Sequence, residues 1–260
     1  MDIFVALWIG ACLGSFVNVL VHRLPREQSV VAPGSRCPRC GVSIRFYDNV
    51  PVFGWLWLGG RCRSCRAKIS LRYPLIELLT AVLCAGLWWR WRPDLAWSAA
   101  AMVVAAALVA VAFIDWDHFI IPDELSLGLL GLGLLASPIN PLLWGEHWLA
   151  RLGSGLLGAA AGFGMCWLTA EMGERLFKKE AMGGGDIKLM AAVGAWTGVL
   201  GAFDCLMIGS FLGAVYGLSL MARRRLKRSD PIPFGPFLSA SALLNFFWLI
   251  PPDFLFRLTL

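Results

Sequence analysis

The sequence predicts an all-α polytopic membrane protein of about eight transmembrane helices, with a small cytoplasmic zinc-ribbon-like module between helices 1 and 2. Three observations predict it. The 260 residues are 58% hydrophobic and only 15% charged, and the mean hydropathy is +0.68, which no ordinary soluble surface tolerates. Apolar runs recur at close to the ~20 residues a helix needs to cross the hydrocarbon core. The basic residues are gathered into a few short segments between those runs.

Spans are expected at residues 3–21, 75–89, 95–114, 124–137, 152–170, 187–203, 205–222 and 234–250. The fourth is short, and only Gly201 to Asp204 divide the sixth from the seventh. The first span opens Met1-Asp2 without a basic n-region, and its positive charge follows the apolar run, so an anchor is expected rather than a cleaved leader. Of the 23 Lys and Arg, ten lie in 23–72, four in 172–188 and five in 223–228. With eight spans these three segments share one side. The positive-inside rule makes that side the cytoplasm and leaves both termini extracytoplasmic. The net charge of +6 is then largely topological, and no nucleic-acid partner is implied.

Three divisions are expected: a first transmembrane helix over 1–22, a cytoplasmic zinc-binding module over 23–73, and a seven-helix core over 74–260. The module carries Cys37-Pro-Arg-Cys40 and Cys62-Arg-Ser-Cys65, with 21 residues between the pairs. Each C-x-x-C turn presents two thiolates to one tetrahedral ion, so Cys37, Cys40, Cys62 and Cys65 predict a closed structural zinc site. Redox pairs or two disulfides are the alternatives, and a cytoplasmic location disfavours stable disulfides. The surrounding Arg36, Arg39, Arg61, Arg63, Arg66 and Lys68 suit both the charge of four thiolates and membrane-lipid headgroups. Residues 50–58 are too short to span a bilayer and too apolar for an exposed loop; they belong to the module's core or to the membrane interface.

Outside the module, Cys12, Cys84, Cys166 and Cys205 fall within spans and read as small buried apolar residues. Glycine and alanine runs such as Gly153 to Gly162 have the small-xxx-small character that lets membrane helices approach closely. Trp88, Trp89, Trp91, Trp144 and Trp148 cluster near span ends, as interfacial anchors do. Internal repeats are not evident.

Two aspartates stand out because a carboxylate beside hydrocarbon is costly and marks a functional site by default. Asp115 ends the third span and Asp186, in Gly183-Gly184-Gly185-Asp186, begins the sixth, so both fall at the cytoplasmic face. Two such carboxyls can share a proton and hold a water between them. Asp117 would point about 200° away from Asp115 on a continuing helix, and Asp123 follows Pro122 as the acidic start of the next helix. Gly183 and Gly185 fit the close approach of an extended peptide, or equally a flexible helix entry. Lys188 could act on Asp186 or on substrate acid groups, against the plainer role of a topogenic lysine. Glu77 could meet a basic substrate or simply favour a helix N-terminus.

Gly183-Gly-Gly-Asp186 is a GxGD sequence, and Glu180 to Ala191 closely resembles the version found in bacterial type IV prepilin peptidases. Gly14-Ser-Phe-Val-Asn18 through Pro25, the paired C-x-x-C module, Arg72-Tyr73-Pro74-Leu-Ile-Glu77, the stretch Asp115 to Asp123, and Pro231-Ile-Pro-Phe234-Gly235-Pro236 resemble the same family in the same order. Gly54 departs from the family, which is expected to carry serine there. The resemblance implies a bifunctional enzyme of the bacterial inner membrane. It would cleave the basic leader of prepilins or pseudopilins with Asp115 and Asp186, then methylate the new N-terminus from S-adenosylmethionine. The chain itself shows no Gly-rich Rossmann turn that would locate the methyl donor. A rival from another class is a non-catalytic transporter or assembly scaffold with ion-coupling aspartates.

Overall fold

A computed structural model of the chain describes residues 2–178, 182–225, 227 and 230–248. The described residues form helices and no strand; the only ladder-like pairings are isolated bridges at Arg36–Ser43 and Arg61–Lys68. By contact the chain divides into two compact units, Met1–Ala110 and Val111–Leu260.

In the first unit, α1 (Ile3–Arg23) runs antiparallel to α3 (Arg72–Trp91). Small residues set how closely they approach. A Cβ on Gly10 would lie 2.7 Å from the Cα of Ala81, and one on Gly14 would lie 2.6 Å from the Cα of Glu77. The Asn18 side-chain amide donates to the Tyr73 carbonyl at 3.1 Å, tying the two helices near their basic ends. Beyond α3, Asp94 Oδ1 accepts the Trp97 N–H at 2.9 Å and caps α4 (Leu95–His118). Trp97 is fully buried and meets Trp91 edge-on, with ring centroids 6.0 Å apart.

The segment between α1 and α3 has little regular structure: two 3-10 turns, Leu24–Arg26 and Phe46–Asp48, and a short helix, α2 (Phe53–Trp57). Arg23 holds its start, donating to the carbonyls of Ser29 at 2.9 Å and Pro33 at 2.6 Å. Bidentate contacts of 2.8 and 2.5 Å join Arg63 to Asp48, and that guanidinium holds the Asp48 carboxyl below its ordinary range. Gly54, where serine was expected, packs against the Asp48 carbonyl: an added Cβ would lie 2.2 Å from that oxygen. In this chain the position therefore takes glycine for lack of room.

The second unit contains the end of α4, α5 (Asp123–Ala136), α6 (Trp148–Phe177), α7 (Gly184–Ala222) and α8 (Gly235–Phe247). The glycine run on α6 does what its spacing predicts. Cβ atoms on Gly158 and Gly162 would lie 2.1 and 2.2 Å from the carbonyl oxygens of Gly194 and Met190 on α7, so the two backbones touch. Asn140, wholly buried, donates to the Trp196 carbonyl at 2.7 Å, and Trp196 Nε1 donates to the Leu129 carbonyl at 2.8 Å.

Within α7, Gly198 has φ 71° and ψ −173°, a conformation no helix contains. The chain reverses there. The first half packs on α5 and α6, whereas Gly201, Gly209 and Gly217 of the second half meet Asn245, Leu238 and Ile232 in that order, antiparallel to α8. The division between the expected sixth and seventh spans therefore falls at Gly198, not at 201–204. Asp204, which looked like part of a polar break, is buried instead. The helices fall where the eight spans were expected, with differences of length. Among the described residues four are long and apolar enough to cross a membrane: Ile3–Arg26, Leu95–His118, Trp148–Leu176 and Gly184–Ala222. The fourth and eighth spans correspond to helices of only 14 and 13 residues. Residues 249–250 of the expected eighth span, and Glu180 and Ala181 of the GxGD stretch, lie outside the described residues.

Candidate functional site: two aspartates at one end of the second unit, and a four-cysteine cluster

α4 runs past the expected boundary to His118, so Asp115 sits in its last turn rather than after it. Its side chain is buried, at 5% exposure, and its Oδ2 accepts the backbone N–H of Gly235 at 2.8 Å. Gly235 is the first residue of α8. That helix therefore aims an N-terminal N–H, which has no partner within the helix, at the carboxylate. An added Cβ at Gly235 would lie 2.9 Å from Asp115 Oδ2.

Asp186 occupies the third position of α7, after the cap residue Gly183. Its own N–H donates to the Gly183 carbonyl at 3.1 Å, closing the first turn, and its Oδ2 lies beside Gly183, 3.3 Å from where a Cβ there would sit. Oδ1 of Asp186 is buried and has no hydrogen-bond partner among the described residues. Its charge and that of Asp115 are within electrostatic reach of one another. The two aspartates come from elements 71 residues apart in sequence, and the fold brings them to the same end of the unit.

The reversal at Gly198 also returns the chain to this end. On an unbroken helix the thirty residues from Asp186 to Tyr216 would cover about 45 Å. Yet Tyr216 stacks on Trp116, next to Asp115, with centroids 5.6 Å apart, and on Phe237 at 5.4 Å. A groove of about 210 Å³ lies between α6 and the start of α7, lined by Trp167, Glu171, Glu174, Gly183, Gly184 and Ile187 among others.

The remaining candidates are placed as follows. Gly185 is filled from within, since an added Cβ would lie 2.9 Å from the Cβ of Ile121, whereas Gly184 faces open space. Lys188 is turned to Asp123, whose carboxylate oxygens it meets at 2.7 and 2.8 Å, pinning the start of α5 to the start of α7. Asp117 and Asp123 are exposed. Glu77, in the first unit, accepts the Val52 N–H at 2.7 Å. The contact of Gly235 with Asp115 was missed from sequence, although Pro231 to Pro236 marked the place. Nothing local announces a hydrogen bond made across 120 residues.

In the module, the ligand atoms of Cys37, Cys40, Cys62 and Cys65 all lie within 4.8 Å of one another. The Sγ atoms of Cys37 and Cys65 are 3.8 Å apart, which matches the ~3.8 Å edge of a tetrahedron with ~2.3 Å zinc–sulfur bonds. It is far from the ~2.05 Å of a disulfide. The two halves are built alike. Cys37 and Cys62 donate their N–H to Val42 and Ala67, and accept from Gly41 and Arg66. Gly41 and Arg66 both take left-handed backbone, at φ 71° and 57°. The pattern Arg-Cys-x-x-Cys-x-x-x-Ile at 36–44 recurs at 61–69, an internal repeat that the sequence does contain. Backbone N–H groups of Cys40 and Arg39 push the Cys37 thiol down to about 6, toward the thiolate a metal requires. The cluster fits structural zinc, with no position left open for catalysis.

The chain matches two family models, the bacterial peptidase A24 N-terminal domain over residues 8–91 and the type IV leader peptidase family over residues 102–218. Proteins named prepilin leader peptidase/N-methyltransferase are similar along nearly its whole length. The Aeromonas salmonicida protein is 38% identical, over 91% of this chain and 87% of its own. The Pseudomonas aeruginosa protein is 36% identical over 92% and 88%, and that of Xanthomonas campestris 35% identical over 94% and 90%. No solved structure matches the chain. This chain, with its N-terminal cysteine module and its paired aspartates, belongs to the type IV leader peptidase family.

Proposed function

We propose that this protein is an aspartic endopeptidase of the bacterial inner membrane that removes the leader peptide of prepilins or pseudopilins and N-methylates the new terminus. The observation that carries the cleavage reading is the convergence of Asp115 and Asp186 at one end of the second unit, beside a groove that passes Gly183 and Gly184. One protonated and one ionised carboxyl hold a water between them. The ionised group takes a proton from the water as its oxygen attacks the scissile carbonyl, and the protonated group donates to the developing oxyanion. Collapse of the tetrahedral intermediate then breaks the C–N bond and passes a proton to the leaving amine, with no covalent enzyme intermediate. Gly235 N–H fixes the Asp115 carboxyl in place.

Methylation rests on the names of the relatives. S-adenosylmethionine supplies an electrophilic methyl group. With no strand among the described residues, a Rossmann pocket for it is absent there, and no step is assigned to particular side chains. The reading divides the chain into a first transmembrane helix (1–22), a zinc-binding module (23–73) and a seven-helix protease core (74–260). It places the dyad at the cytoplasmic face. Incubating the purified protein with a prepilin in mixed micelles, with and without S-adenosylmethionine, tests both activities. Intact-mass analysis should show loss of the leader in both samples and one added methyl group only with the donor. An unprocessed prepilin would refute the cleavage reading.

A further inference from the structure

α2 presents an unusual face. Phe53, Leu56 and Trp57, spaced i, i+3 and i+4, are 63%, 59% and 85% exposed, while Gly54 on the opposite side is buried. Three large apolar side chains on one turn, left uncovered by the described residues, need an occupant. Phe46 beside them is also exposed.

The depth of α2 identifies that occupant. The Val52 N–H that starts α2 bonds to Glu77, five residues past Arg72 and about 7.5 Å along α3 from its basic end. Glu77 also abuts Gly14, nine residues before Arg23 on α1. The start of α2 thus lies level with the bodies of α1 and α3, inside the two basic ends rather than beyond them. At that level α3 turns Leu75, Leu78 and Leu79 outward. The rest of the module is strongly basic: residues 23–72 carry ten Lys and Arg against two acidic residues, Glu27 and Asp48. Arg45 and Arg63 flank Tyr47 at 5.8 and 5.5 Å from its ring.

We propose that α2 is an interfacial helix: Phe53, Leu56 and Trp57 enter the headgroup–acyl boundary of an anionic bilayer, and the module's surplus of basic residues draws it to that bilayer's phosphates. Amphipathic aromatic and basic side chains are those that this zone accepts. The membrane then serves as part of the module's missing core, so the two knuckles are held flat on the surface from which α1 and α3 emerge. This inference stands on the geometry of the first unit and does not depend on which reaction the protein performs.

The test places a photoreactive p-benzoylphenylalanine at position 53 or 57 of the full chain, aromatic for aromatic. The protein is reconstituted in nanodiscs of phosphatidylethanolamine, with or without phosphatidylglycerol. Position 78, on the outward side of α3, is the positive control. After irradiation, intact mass should show lipid adducts at 53 and 57 approaching the yield at 78, and higher yield with phosphatidylglycerol. Unchanged zinc content confirms that each variant is folded. Lipid adducts at 78 but not at 53 or 57 would overturn the proposal. So would a covalent dimer, which would make a second copy the occupant, and so would a yield indifferent to phosphatidylglycerol.

Discussion

Asp115→Asn and Asp186→Asn should each lower leader cleavage by several orders of magnitude, since either change leaves the dyad without one of the two carboxyls it needs. Zinc content and the thermal unfolding midpoint should stay near wild type. Asp117→Asn, exposed and on another face of α4, should keep most activity; if it fell as far as Asp115→Asn, the partner of Asp186 would be misassigned. Gly235→Ala is the sharper test of positioning. Its methyl would lie 2.9 Å from Asp115 Oδ2, so the carboxylate must move, and a displacement of that kind costs about 10²-fold in rate. A fall in kcat with KM unchanged is expected. The aspartates were legible in the sequence because a charged residue at the end of an apolar run is expensive enough to signal itself. Gly235 was not legible, because the role of a glycine is an absence of atoms that shows only once its neighbour is in place. Lys188 was legible as a cation near the site, but its partner Asp123 comes from 65 residues away and was read as a helix start alone. That pair is half exposed, so Lys188→Met should cost no more than about 1 kcal/mol of stability.

The same contrast holds for helices. Spans could be counted from hydropathy, and the α6 glycine run foretold a close helix contact, because both are periodic signals along one segment. The reversal at Gly198 left no such trace: residues 189–203 carry no charged side chain on either side of it, and what turns the chain is a backbone conformation open essentially to glycine alone. Gly198→Ala should destabilise the fold by about 1–3 kcal/mol through backbone strain, because the nearest atoms to its Cβ, on Leu143 and Ser154, are at an ordinary 3.6 Å. Gly194→Ala acts differently, driving a Cβ to within 2.0 Å of the Gly158 carbonyl and forcing α6 and α7 apart. Thermal unfolding in detergent should show the larger loss for Gly194→Ala. In the module the C-x-x-C spacing announced the four-cysteine cluster, whereas the repeated knuckle was hidden because glycine at 41 is matched by arginine at 66. Replacing Cys37 and Cys62 together by Ser should remove the zinc, which metal analysis would read as a fall from about one ion per chain. Stoichiometric metal in that variant would contradict the four-cysteine site.

At the scale of the whole chain, the sequence-derived topology and the helix directions can be checked against each other within the second unit. Asp115 ends α4 and bonds to Gly235 at the start of α8, and Asp186, which begins α7, lies within electrostatic reach of Asp115. The direction of the intervening helices agrees: α5 starts beside α7 through Asp123 and Lys188 and continues alongside it to Leu129 and Trp196, while α6 runs opposite to it. Chain segments after α4, before α7 and before α8 must therefore share one side of the membrane. Basic residues follow the same division, with four in 172–188 and five in 223–228, against one arginine, Arg151, in the whole of 124–171. By the positive-inside rule that shared side is expected to be the cytoplasm. Reporter fusions after residues 45, 180 and 226 should accordingly behave as cytoplasmic, and those after 93 and 146 as extracytoplasmic. A reporter at 180 found outside, with one at 120 inside, would place Asp186 and Asp115 on opposite faces. No dyad could then form, and the cleavage mechanism would fall with it.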